Sequence, residues 1–199
     1  MTVTVRVIRA LPVVVFAAVG LTACTPTETG EPVAIESPTE ERLAPPIDQP
    51  PLNVEPFLSR PCDVLTPQQA AEWTVSKPQR VPDERTYTGP GCEFQPDDPK
   101  QVFFGATVQT GDRLEGVYQR SDTLQLFEPT EVAGYPAAFN DSADTRSLGS
   151  CGLTVKVAED SSLDVLVSVN DRQSPEYTDP CPVAVRIMEQ MIETIGAAS

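Results

Sequence analysis

The most regular pattern in the chain lies near its C-terminal end. Ala184, Ile187, Met188, Met191, Ile192 and Ile195 fall at i, i+3, i+4, i+7, i+8 and i+11, one apolar stripe of an amphipathic helix. Asp179 stands where a cap would sit, and Pro180 or Pro182 suits the first turn. The next pattern has period two. Leu153, Val155 and Val157 alternate with polar positions, Glu159-Asp160-Ser161-Ser162 turns the chain, and Leu163, Val165, Val167 and Val169 return, which predicts a β-hairpin. Val102, Phe104, Ala106 and Val108 alternate with Phe103, Gly105, Thr107 and Gln109, as in a half-buried strand.

Shorter signals fill the space between. Thr66-Pro67-Gln68-Gln69 is a capping box with proline at the first helical position, predicting a helix from about Pro67 to Val75 that ends near Lys77-Pro78. Arg80 to Pro90 reads as a polar loop. Cys92 to Gln95 starts a strand, and Pro96-Asp97-Asp98-Pro99 is a turn. Asp112 with Glu115 marks the start of a short helix to Gln119. Thr130 to Ala133 and Ala137 to Asn140 flank a turn at Gly134. Together these predict an α+β fold for residues 57–199, an antiparallel sheet of about five or six strands with helices packed on one face.

The first 23 residues have another character. Arg6 and Arg9 precede an uncharged run from Ala10 to Gly20, the layout of a secretory signal. The run is too short for a bilayer, which needs about 20 apolar residues. Leu21-Thr22-Ala23-Cys24 resembles a bacterial lipobox, so Cys24 is the expected lipidation site and the first mature residue. Two acyl chains (palmitate-like, about 16 carbons each) would make a durable anchor on the extracytoplasmic face of the cell membrane. Residues 24–56 read as an acidic, proline-rich, disordered tether: Thr25 to Pro56 holds eight prolines, seven acids and one base, too few apolar groups to offset ordering entropy. Extended, it would reach on the order of 100 Å.

Charge and cysteine usage narrow the function. Losing Arg6 and Arg9 with the signal takes the formal charge from −15 to −17, and no basic cluster is present for nucleic acid to bind. With Cys24 set aside, four cysteines remain in an exported chain. Of the three pairings that can be drawn, Cys62–Cys92 and Cys151–Cys181 have the same spacing of 30. Each joins a Pro-Cys helix start to a Gly-flanked strand cysteine, and this pairing is expected. Neither CxxC nor histidine is present, so no metal site and no cofactor is expected.

Without histidine or a free thiol, catalysis would fall to carboxylates, hydroxyls and lysine. Lys77, Lys100 and Lys156 are the lysines, and none sits in an S-x-x-K context; Ser76-Lys77 is a loop pair. Asp97-Asp98, Asp141 with Asp144, and Glu159-Asp160 fall in predicted turns, where acids are commonly solvated. Asn140 to Asp144 has faint calcium-loop character but lacks the glycine and the distal glutamate. Trp73, Tyr87, Tyr118, Tyr135 and Tyr177 are the polar-tipped aromatics. Trp73 suits a core anchor, and Tyr87, in a polar loop, suits recognition.

Several of these residues carry a family resemblance. The lipobox cysteine, the Pro-rich acidic linker and Pro61-Cys62-Asp63-Val64-Leu65-Thr66 belong to it, as do Gly91-Cys92-Glu93-Phe94, Cys151-Gly152-Leu153-Thr154-Val155 and Asp179-Pro180-Cys181. In these the chain resembles the actinobacterial lipoproteins grouped as DUF3558. Phe94 stands where a tryptophan-type residue is expected after the cysteine. The resemblance implies an envelope lipoprotein of uncharacterised function and carries over no catalytic residue. The sequence therefore reads as a non-enzymatic binding or interaction module on a lipid anchor, its ligand or protein partner unnamed. An accessory subunit of a secretion or cell-wall assembly system is one alternative, and a carboxylate-dependent cell-wall hydrolase is another.

Overall fold

The computed structural model describes residues 42–82 and 89–198. Cys24, Tyr87 and the expected signal segment lie outside them. Seven strands form one sheet: β1 (Gln79–Arg80), β2 (Gly91–Phe94), β3 (Val102–Thr110), β4 (Leu126–Val132), β5 (Tyr135–Asp141), β6 (Ser150–Ala158) and β7 (Ser161–Val169). Their order is β1-β2-β3-β7-β6-β5-β4, and every neighbouring pair is antiparallel. The expected count of five or six falls short because β1 has only two residues and no alternating pattern. The central pairing joins all nine residues of β3 to β7, from Val102↔Val169 to Thr110↔Ser161.

Register assigns each face. Phe104, Ala106, Val108, Leu153, Val155, Val157, Leu163, Val165 and Val167 belong to the main core, with Ile187, Met188, Met191, Ile192 and Ile195 of α4 (Cys181–Ala197). Each fully buried side chain of this size contributes about 1.5–3 kcal/mol. Pro180 rather than Asp179 occupies the cap position of α4, and no side chain caps it; Pro182, with no N–H to satisfy, fills the first turn instead. On the same face, α2 (Pro67–Glu72) begins with the capping box from Thr66 and Gln69. It stops at Glu72, before the expected Val75, where Thr74 adopts a positive φ of 58°.

The two disulfides, Cys62–Cys92 and Cys151–Cys181, are those the spacing predicted. The first pins a 3-10 turn, Pro61–Val64, to β2. The second pins the start of α4 to β6. The β4–β5 turn has Ala133 at φ 50° and Gly134 at φ 81°, the paired positive values that a tight two-residue hairpin turn requires.

Two expectations need correction. First, the helices do not all share one face. Leu114 and Val117 of α3 (Arg113–Tyr118) pack with Ala138 in a second cluster. Arg113 reaches Ser162 and Asp164, residues that alternate out of the main core. The capping signal at Asp112 was legible, since its side chain accepts from the Glu115 N–H; the face was not.

Second, the domain begins before Phe57. Arg42 to Pro56, expected within the tether, lies against the sheet as a strap. The Leu43 and Ala44 N–H groups donate to the Glu115 carboxylate, and Ala44 is buried beside Leu114. Tyr135 donates its hydroxyl to the Pro50 carbonyl at 2.6 Å, and the Leu52 N–H donates to the Val157 carbonyl. Val54, next to the short helix α1 (Glu55–Leu58), then enters the main core. The prolines that argued for disorder suit an extended strap equally well, because its hydrogen bonds go to the domain.

Candidate functional site

Among the described residues, the sheet face opposite α4 is only partly covered. Next to α3 it carries a hollow of about 480 Å³. The register explains the shape. Glu93, Gly105, Leu166 and Gly152 form one row across four strands, and Gly91, Thr107, Asp164 and Thr154 form the next. A Cβ added at Gly105 would meet nothing within 4 Å. The hollow is therefore floored by backbone where neighbouring positions carry side chains.

A fixed polar group occupies one side. Asn140 donates to the Thr154 hydroxyl at 3.0 Å and to the Ala138 carbonyl at 3.1 Å. Thr154 in turn donates to Asp164 Oδ1. Arg113 approaches the same carboxylate through Nε, 3.4 Å from each oxygen. Asp164 Oδ2 is buried and receives no hydrogen bond. Burial pushes the Asp164 carboxyl above its ordinary value, against the opposing pull of the Thr154 hydroxyl and the Arg113 guanidinium. Val81, Phe103 and Leu166 give the hollow apolar surface, and Leu166 is 52% exposed.

A second concavity, about 500 Å³, lies between the start of α4 and β5. Both arginines that line it are held in ion pairs. Arg146 contacts Asp144 and Glu128, and Arg186 contacts Glu176 while lying over the Trp73 ring. It lacks a buried polar group aimed inward, which makes the open-face hollow the stronger candidate.

The residues offered by the sequence are scattered. Ser76 donates to Asp97 at 2.6 Å, and Asp98 accepts from the Lys100 N–H in the same turn. Asp141 faces its own loop. Burial raises its carboxyl, but the Thr145 hydroxyl and the N–H groups of Thr145, Ala143 and Ser142 outweigh that and hold it low. The Arg146 hydrogen bond, against a smaller effect of burial, holds Asp144 low. Among the described residues no group of three His, Cys, Asp or Glu side chains could hold a metal ion.

Lys156 is 1% exposed and pairs with Asp112 at 2.9 Å and Glu159 at 3.5 Å. Arg42 of the strap contacts the same two acids. Trp73, half-buried, meets Phe104 edge-on and donates to Gln190 at 2.7 Å. Tyr118 packs edge-on against Phe127, Tyr135 serves the strap, and Tyr177 lies against Gly149.

Of the residues the sequence offered for chemistry, only Asn140 lines the hollow. It was offered as the start of a calcium loop but meets other partners there: Arg113, Asp164 and Thr154 were missed because their meeting depends on strand order. A weak signal was present in the glycines: Gly105 and Gly152 interrupt strands, where glycine often marks a close approach. Among the described residues no helix is long and apolar enough to cross a membrane, and the two disulfides point to an extracytoplasmic location.

Neither curated proteins nor solved structures give a match to this chain. A family model does, over residues 19–194, and its description is a protein of unknown function, DUF3558. With nearly the whole chain matched, including the four disulfide cysteines, the protein belongs to the DUF3558 family.

Proposed function

We propose that this protein is an envelope lipoprotein, acylated on Cys24, whose domain is a non-catalytic binding module that recognises its ligand in the open-face hollow. One observation carries the reading: a buried, mutually bonded polar group beside a backbone floor that no side chain among the described residues covers. Polar groups that serve only stability are normally covered and satisfied, whereas binding sites combine apolar walls with a few fixed polar groups. The acids first considered for hydrolysis are held in turns and ion pairs, and no observation favours that alternative.

The docked strap changes the reach of the anchor. Only Thr25 to Glu41, 17 residues, separates Cys24 from the folded domain, a span of no more than about 60 Å. The domain would therefore work close to its own membrane. Metabolic labelling with a palmitate analogue, followed by membrane fractionation, tests the anchor. The wild-type chain should be labelled and sediment with membranes, and Cys24→Ala should be unlabelled. Equal labelling of the two chains would contradict the assignment.

A further inference from the structure

We propose that the hollow takes a neutral, hydroxyl-rich ring, a glycan unit, an assignment that rests on the binding-module reading above. The argument begins with the pairing of donors and acceptors. Arg113 holds Asp164 through Nε, so its two terminal nitrogens have no hydrogen-bond partner among the described residues. Asn140 uses Nδ2 for Ala138 and Thr154, which leaves its oxygen as an acceptor. Asp164 Oδ2 is buried and receives no hydrogen bond, with Arg113 Nε 3.4 Å away, so Asp164 serves to hold Arg113 in place. The hollow thus presents donors and acceptors side by side.

A hydroxyl group both donates and accepts, so it can accept a hydrogen bond from Arg113 and donate one to the Asn140 oxygen. A carboxylate or phosphate only accepts. It could take a hydrogen bond from Arg113 but would leave the Asn140 oxygen without a donor. An ammonium only donates and would face Arg113. The mix of donors and acceptors is therefore met in full by a neutral hydroxyl ligand and only in part by either kind of ion.

The rest of the hollow suits a ring. Gly105 leaves open space above the backbone, with nothing within 4 Å of an added Cβ. Phe103, Leu166 and Val81 border that space and offer apolar contact to the C–H face of a pyranose. Hydroxyls around the rim of the ring would then meet Arg113 and Asn140 on one side and Thr107 on the floor.

The test uses the acylated full-length protein in detergent micelles. Isothermal titration is run with two neutral probes, chitotetraose and mannotetraose, and one anionic probe, tetragalacturonate. A neutral tetrasaccharide should bind at least about tenfold more tightly than the anionic one. Gly105→Val, which fills the hollow at a strand position that favours β-branched residues, should weaken that binding at least about tenfold. Its melting temperature should not fall. Failure of both neutral probes to bind, tighter binding of tetragalacturonate, or unchanged binding by Gly105→Val would each overturn the proposal. A photo-crosslinker at Leu166 separates the two levels of the argument. If neutral probes fail while that crosslinker still captures a ligand in a Gly105-dependent way, the glycan is rejected and the binding module stands. If both fail, the module itself is rejected.

Discussion

The Lys156 ammonium lies 2.9 Å from Asp112 Oδ2 although only 1% of the lysine side chain is exposed. A buried cation depends on its counter-ion, and removing one member of such a pair costs about 3–5 kcal/mol. Asp112→Asn can still cap α3 but leaves the ammonium only the exposed Glu159 at 3.5 Å, so urea unfolding should show a loss toward the lower end of this range. Adding Lys156→Met should recover most of it. A double variant as unstable as the single one would show that the loss comes from the cap.

The strap makes a second prediction. A chain starting at Phe57 loses buried Val54 and Ala44 and the Leu52 bond to Val157. Compared with a chain starting at Arg42, it should be less stable by about 2–4 kcal/mol. In the full chain, amide exchange at Leu43 and Ala44 should be slow and should accelerate in Glu115→Ala. Arg42→Ala should matter little, since its pairs are exposed and worth about 0–1 kcal/mol.

Each disulfide closes a 30-residue separation and should contribute about 3–4 kcal/mol through the unfolded chain. Replacing Cys151 and Cys181 together with alanine should lower the unfolding free energy by that amount. Unchanged urea midpoints would contradict it.

Acid response should divide by residue. Asp141 is held below its ordinary 3.8, so its contribution is complete above that value and is lost as pH falls through the lower folded value. Asp164 is raised; its folded form prefers the proton, and stability declines as pH rises from 3.8 through the raised value. Urea midpoints against pH should therefore lose part of the acid limb in Asp141→Asn. In Asp164→Asn they should lose the opposing decline. Identical profiles for all three proteins would refute both assignments.

What the sequence made legible were the local features. Period two found β3, β6 and β7, period 3.6 found α4, and Thr66 and Asp112 announced two helix starts. The cysteine spacing gave both bridges. The strap was missed because its composition matches a disordered tether, and its order depends on partners such as Glu115 and Tyr135, far away in sequence. The hollow was missed for a related reason. Asp164 and Thr154 look like ordinary polar positions in a hairpin until strand order places Arg113 and Asn140 beside them. Gly105 acquires meaning only when its row, Glu93 to Gly152, is seen to face away from α4.

The most direct test of the account is in situ photo-crosslinking from two exposed leucines. Leu166 stands in the hollow and is 52% exposed, and Leu148, outside it, is 68% exposed. A probe replacing Leu166 in the membrane-anchored protein should give a discrete ligand adduct that disappears in the Gly105→Val background, while a probe at Leu148 should not. No adduct from position 166, or the same adduct from both positions, would contradict the hollow as the recognition site.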